Sequence, residues 1–250
     1  MNSTGLFMFG NVGFNKIWAS FFGRTLLLSL SFFVLGCSQR YQDTNATIME
    51  AFYGPQDIEI SEQQLRETPY ASMYVKINDG PRIFMVLAFV EHNGRSNAPR
   101  LKWLSADSAM LVTENGRVVK TLNLPNANLV DIEFSADTPF SSSNIMPPTK
   151  SDLTLKSQHW QATYDWQPMY QYNHLALVET RYLGKEQVQS LLWNKSTYLF
   201  EESIEFSALN QSMTSRYWLD DKGATVKSSQ WLIPEQLHIE LEILKPYSFK

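Results

Sequence analysis

Residues 109–122 read Ala109-Met110-Leu111-Val112-Thr113-Glu114-Asn115-Gly116-Arg117-Val118-Val119-Lys120-Thr121-Leu122. Two apolar, β-branched runs flank Asn115-Gly116. Asn-Gly tolerates positive φ at both central positions of a two-residue turn, the geometry that joins right-twisted antiparallel strands. The stretch predicts a tight hairpin, and the rest of the chain reads in the same way.

Upstream, Met73, Val75 and Ile77 alternate with Tyr74, Lys76 and Asn78, the period of a half-buried strand. Asn78-Asp79-Gly80-Pro81 turns the chain. Ile83 to Val90 is apolar throughout and predicts a strand covered on both faces. His92 to Asn97 reads as a loop, and Leu124 to Leu129 as the end of a strand. Further strands are expected at Trp160–Gln167, Leu175–Leu183, Lys185–Asn194, Tyr198–Ala208, Met213–Asp220, Thr225–Ile233 and His238–Lys245. Asp220-Asp221-Lys222-Gly223 reads as another hairpin turn. Single helical turns are expected at Ile48–Tyr53, before Gly54-Pro55, and within Ile58–Glu67. Thr138–Thr149, rich in Ser and Pro, is read as a loop inside one domain. Short strands at roughly 8–12-residue spacing predict an all-β fold, an antiparallel barrel-like or half-barrel meander with few short helices.

Composition agrees. Aromatics make up 13% of the 250 residues and charged residues 18%, against about 25% charged in an average soluble protein. Such a chain is neither disordered nor a coiled coil. A pI near 5.6 excludes the basic footprint of a nucleic-acid binder. The single cysteine excludes an internal disulfide and a multi-cysteine zinc site.

That cysteine ends the one signal-like run. No acidic residue precedes Asp43, and Lys16 and Arg24 lead into the apolar run Thr25–Leu35. This run is too short for the roughly 20 residues of a membrane-spanning helix but suits the core of a secretory signal peptide. Val34-Leu35-Gly36-Cys37 looks like a bacterial lipobox, in which the cysteine sulfur receives a diacylglycerol and the leader is cut before it. The expected organisation is residues 1–36 as signal peptide, started at Met1 or Met8, 37–47 as a flexible tether and 48–250 as a single β domain. Ser38 follows the cysteine where an aspartate would favour inner-membrane retention. The expected location is therefore the outer membrane, lipid-anchored through Cys37 and facing the periplasm.

Several segments resemble the GfcB/YjbF family of capsule and exopolysaccharide lipoproteins. They are Pro69-Tyr70-Ala71-Ser72-Met73, Asp79-Gly80-Pro81, Trp103-Leu104-Ser105-Ala106-Asp107, and Met110–Thr113 with Asn115–Leu122. Tyr217-Trp218-Leu219-Asp220, Gly223, Lys227-Ser228 and Ile243-Leu244-Lys245-Pro246 continue the match in the same order. The resemblance implies a barrel-like lipoprotein that works with a polysaccharide secretion system and an outer-membrane β-barrel of the GfcD/YjbH kind. It carries no catalytic residues to transfer.

The residues themselves point to little chemistry. His92, His159, His174 and His238 form no i,i+4 metal pair, and nucleotide and hydrolase motifs are lacking. No cofactor or metal is expected. Asp131, Glu133 and Asp137, and Glu201, Glu202 and Glu205, cluster in sequence. A glycosidase would need two such carboxyls roughly 5–10 Å apart, whereas solvated strand faces produce these patterns routinely. Aromatic rings can stack on sugars, and the densest group is Trp160, Tyr164, Trp166, Tyr170 and Tyr172. This group is the candidate contact surface for a glycan or a partner, although tryptophan also fills β cores. The leading expectation is a non-enzymatic accessory factor of capsule or exopolysaccharide secretion. A lipid or lipoprotein carrier with an apolar half-barrel cavity, and a polysaccharide-modifying hydrolase, are the alternatives. Metabolic labelling with a palmitate analogue is expected to mark the protein and to leave Cys37→Ala unmarked.

Overall fold

The computed structural model describes residues 56–92, 98–134 and 157–248. The signal peptide, Cys37, the tether, the expected turn at Ile48–Tyr53, Asp137 and the Thr138–Thr149 loop lie outside the described residues, as does most of the His92–Asn97 loop.

The strands follow one another as an antiparallel meander. They are β1 (Ser72–Ile77), β2 (Arg82–His92), β3 (Pro99–Ser105), β4 (Met110–Glu114), β5 (Arg117–Leu122) and β6 (Asn128–Phe134). The second half adds β7 (Gln158–Gln167), β8 (Gln171–Gln189), β9 (Asn194–Phe206), β10 (Gln211–Leu219), β11 (Thr225–Ile233) and β12 (Leu237–Lys245). Among the described residues they form one twelve-stranded sheet, ordered β5-β4-β3-β2-β1-β12-β11-β10-β9-β8-β7-β6. The first strand pairs with the last, Val75 opposite Leu241 and Ile77 opposite Ile239. The sheet curls into a nearly closed barrel with β5 and β6 as its two free edges.

Side chains seal that seam. The Leu129 amide donates to Thr121 Oγ1 (2.9 Å), and Thr121 Oγ1 donates to Asn128 Oδ1 (3.2 Å). Leu124–Leu129 therefore does not simply end a strand. It carries most of the connection from β5 to β6 and the first two residues of β6, with Asn123 and Asn126 at positive φ and Asn128 bonded to both the N–H and C=O of Leu124. Unpaired edges invite association with other chains, and here hydroxyl and amide groups occupy them.

Period-two alternation builds the interior. Met73, Val75, Met85, Trp103, Leu111, Leu129, Ile132, Val178, Ile204, Phe206, Ile239 and Leu241 pack in one cluster. A smaller core lies outside the barrel wall. Helix α1 (Glu62–Glu67) starts at a capping box between Ser61 and Gln64. Six residues do not hold a helix unaided. Leu65 anchors it, fully buried against Tyr74 and Leu244 with Phe84 alongside. Burying such a side chain contributes about 1.5–3 kcal/mol. This explains why Ile83–Val90 carries apolar residues on both faces: Ile83, Met85 and Leu87 face the barrel core and Phe84 faces α1. The expectation of cover on both faces fails farther along, where Phe89 is 61% exposed.

Two other expectations change. Leu175–Leu183 and residues 185–189 are one strand, β8, bent at a bulge between Tyr182 and Gly184, while residues 190–193, expected within a strand, form the connection to β9. Gly184, at φ 131°, bends the strand where a break between two strands was expected. Pro99–Ser105 is a full strand beside β2, although its alternation of basic and apolar residues gave no expected element.

The hairpin at Asn115-Gly116 forms with φ values of 50° and 81°. Gly116 is doubly constrained. A Cβ there would meet Thr225 Cβ at 2.3 Å, because the turn tip leans across the barrel onto β11, where Thr225 Oγ1 donates to the Asn115 carbonyl (3.1 Å). Gly116→Ala is therefore expected to destabilise the domain by about 2 kcal/mol or more through overpacking and a strained φ, read as a lowered midpoint of urea unfolding.

Candidate functional site

The barrel is filled by side chains, and at its centre the filling is ionic. Arg117, the first residue of β5, is 3% exposed, and Glu202 on β9 is fully buried. They meet in a bidentate pair, Nη1 to Oε2 and Nη2 to Oε1, both 2.7 Å. Nη1 also donates to the Tyr217 hydroxyl (3.0 Å), which donates to Gln230 Oε1 (3.3 Å). Gln230 Oε1 accepts the Val118 amide (2.9 Å), and its Nε2 donates to the Gly116 carbonyl (2.9 Å). Thr180 Oγ1 donates to Glu202 Oε1 (3.2 Å) and accepts from Trp160 Nε1 (3.0 Å). The guanidinium carbon lies 5.0 Å from the Trp160 and Tyr217 ring centres, a cation–π distance.

Burial works against the Arg117 charge, but Glu202 together with Tyr217 and Tyr164 outweighs it and holds the guanidinium protonated above its ordinary range. Burial pushes the Tyr164 and Tyr217 phenols well above theirs, opposed by Arg117. Both phenols stay neutral, so Tyr217 keeps the proton that it shares with Gln230.

The aromatic group expected to form a contact surface divides in two. On β7, Trp160, Tyr164 and Trp166 point inward and are 4%, 1% and 4% exposed. Tyr164 and Trp166 pack edge-on against Phe206. These three rings are core, so the expected five-residue surface is corrected to two. Tyr170 and Tyr172, at and beside the β7–β8 turn, are 74% and 49% exposed.

The carboxylate clusters are likewise dispersed. On β9, Glu202 faces inward, while Glu201 faces outward and is paired with Arg181 (3.2 Å) and Arg216 (2.9 Å). Asp131 and the exposed Glu133 share the outer face of β6. Asp131 lies 3.8 Å from Arg100, and burial raises its pKa, opposed by Arg100. His174 stacks on Trp166 at 4.4 Å. His238 contacts Ser229 (2.8 Å), and its half-burial lowers its pKa. His92 ends β2 exposed.

One concavity stands on the outer wall across β7, β8 and β9, with a volume of about 510 Å³. His159, Gln161, Leu177, Glu179, Ser203 and Glu205 line it, with Trp160 and Val178. Imidazole, amide, hydroxyl and carboxylate groups there could hydrogen-bond a polar ligand such as a sugar. Sequence reading named His159 and Glu205 separately but not Glu179 or Ser203, which join them only through the β7–β8–β9 register. The apolar lumen that a half-barrel carrier would need is occupied, among the described residues, by the core and the Arg117 network. Beside that network, a cavity of about 10 Å³ is room for about one water.

The ion pair gives a test of its own. Arg117→Met or Glu202→Leu alone strands a buried charge and is expected to cost about 3–5 kcal/mol. The double variant is expected to recover most of that loss, read as non-additivity in urea unfolding.

Comparison with known proteins gives consistent results. Residues 45–244 match the family described as group 4 capsule polysaccharide lipoprotein GfcB, YjbF. The uncharacterized lipoprotein GfcB of Escherichia coli K12 is 30% identical over 227 residues, covering 89% of this chain and 99% of that protein. The uncharacterized lipoprotein YjbF of the same organism is 26% identical over 224 residues, covering 89% and 97%. The crystal structure of the hypothetical lipoprotein YmcC from E. coli K12 aligns with a TM-score of 0.63 at 27% identity, covering 76% of this chain and 91% of that one. The chain belongs to the GfcB/YjbF family of group 4 capsule polysaccharide lipoproteins.

Proposed function

We propose that the protein is a lipid-anchored, non-enzymatic accessory factor for secretion of a capsule or exopolysaccharide, held at the periplasmic face of the outer membrane. The family match over residues 45–244 carries the reading. The lipobox-like Val34–Cys37 ahead of the matched domain supports the anchor. Acylation at Cys37 would bury several acyl chains, each CH₂ contributing about 0.8 kcal/mol, so that attachment is durable.

The chemistry of the described residues supports a binding role. The buried acid of the β9 cluster is neutralised by Arg117, and its neighbour Glu201 is held by two arginines. The groove on β7–β9 offers side chains suited to glycan hydroxyls. Anchoring raises the effective concentration near membrane partners, so modest contacts suffice. An outer-membrane β-barrel of the GfcD/YjbH kind is the proposed partner.

Deleting the gene is expected to lower secreted polysaccharide while intracellular synthesis continues. Complementation with Cys37→Ala is expected to restore secretion poorly. Full secretion by the deletion strain would overturn the reading.

A further inference from the structure

The connections between strands emerge at two mouths of the barrel. One mouth carries the β1–β2, β3–β4, β5–β6, β7–β8, β9–β10 and β11–β12 connections, as the antiparallel order requires. Three that are consecutive around its rim, β5–β6, β7–β8 and β9–β10, are free of charge. No Asp, Glu, Lys or Arg occurs in residues 121–130, 166–178 or 206–215. The other three connections each carry an acid, Asp79, Asp107 and Glu235. At the opposite mouth, the β10–β11 turn alone carries Asp220, Asp221 and Lys222.

Large apolar side chains stand out on the uncharged arc, as Tyr70, Phe89, Leu183 and Leu191 do elsewhere. Met169 and Tyr170, at φ 68° and 51°, form the tip of the β7–β8 hairpin and are each 74% exposed. Tyr172 and Leu175, following the tip on β8, and Leu122, ending β5, are 49%, 52% and 42% exposed. The tip is braced by the Asn173 amide donating to Asp165 Oδ1 (2.7 Å). Tyrosine, with an apolar ring and a polar end, suits the boundary between water and lipid. Uncharged loops avoid the cost of carrying ions into that boundary.

The same mouth is where the polypeptide enters the domain. The Ile58 amide donates to the Arg82 carbonyl (2.8 Å) and the Arg82 amide to Asp57 Oδ1 (2.7 Å), fixing the start of the described chain at the β1–β2 end. Residues 38–55 join this point to Cys37, with a reach of roughly 60 Å if fully extended. The described chain therefore begins at the mouth that carries the uncharged apolar rim.

We propose that the β7–β8 tip, Met169 and Tyr170 with Tyr172 and Leu175, is a membrane-contacting surface that seats this mouth on the leaflet holding the Cys37 acyl chains. This rests on the anchor reading above.

With Cys37 acylated, a new cysteine is the chain's one free thiol, which makes the test direct. Tyr170→Cys and, at the opposite mouth, Asp221→Cys are labelled with a fluorophore in the acylated full protein. Both are reconstituted into phosphatidylcholine vesicles containing nitroxide-labelled lipid, with circular dichroism checking the fold. Strong quenching at 170 and little at 221 is the expected result. Equal quenching at both positions, or none at 170, overturns the proposal. So does a residue-170 thiol that is shielded in native membranes but unquenched by lipid, since a protein then covers the tip. Thiol labelling of the parent protein at Cys37 would overturn the anchor reading instead, separating the two failures.

Discussion

A guanidinium buried inside a β-barrel is costly unless a carboxylate meets it, so the fold must bring it one. Arg117 finds Glu202 across the interior, and much else follows from that pairing. It ties the beginning of β5, still paired with β4, to β9 across the interior. Gln230 then replaces the strand that β5 lacks, accepting from the Val118 amide and donating to the Gly116 carbonyl. The edge of the sheet is thus satisfied from within. Only glycine fits at the turn that brings the chain so close to Thr225. The ring faces of Trp160 and Tyr217 complete a lining in which each charged or polar group named has a partner.

This filling bears on function. A barrel can serve as a container, but here the centre is spent on holding the wall together. Among the described residues, the surfaces open to a ligand or partner are external, the groove across β7–β9 and the rims. That accords with a protein whose relatives are lipoproteins of a capsule family, and it makes the outer surface the place to look for partners.

Much of the fold was legible because local chemistry and global architecture agree. Asn115-Gly116 marks a two-residue turn, and the alternation at Met73–Ile77 marks a strand with one face inside. Where two influences compete, the pattern misleads. Gly184 resembles a break between strands but only bends one. The β2 run is apolar on both faces because α1 covers its outer side, which no local signal announces. The aromatic stretch illustrates the site problem. Read as a cluster, Trp160 to Tyr172 is a surface; read at period two, Trp160, Ala162, Tyr164 and Trp166 fall on one inward face, and only the tyrosines past the turn remain outside. The Arg117–Glu202 pair spans 85 positions, so nothing in the order of residues links its members. The groove likewise exists only through the register of three strands.

The pairing of β1 with β12 also bears on how the molecule is made. Residues 72–77 wait for partners near 239–245, so the meander can lengthen strand by strand but cannot be joined head to tail until the carboxyl end has arrived. Long-range closure of this kind slows acquisition of the native state. A polypeptide halted before residue 237 would leave β1 and β11 both bare, at sticky edges in the middle of the sheet. Synthesis and delivery of the last few residues therefore decide whether the first strand is ever buried.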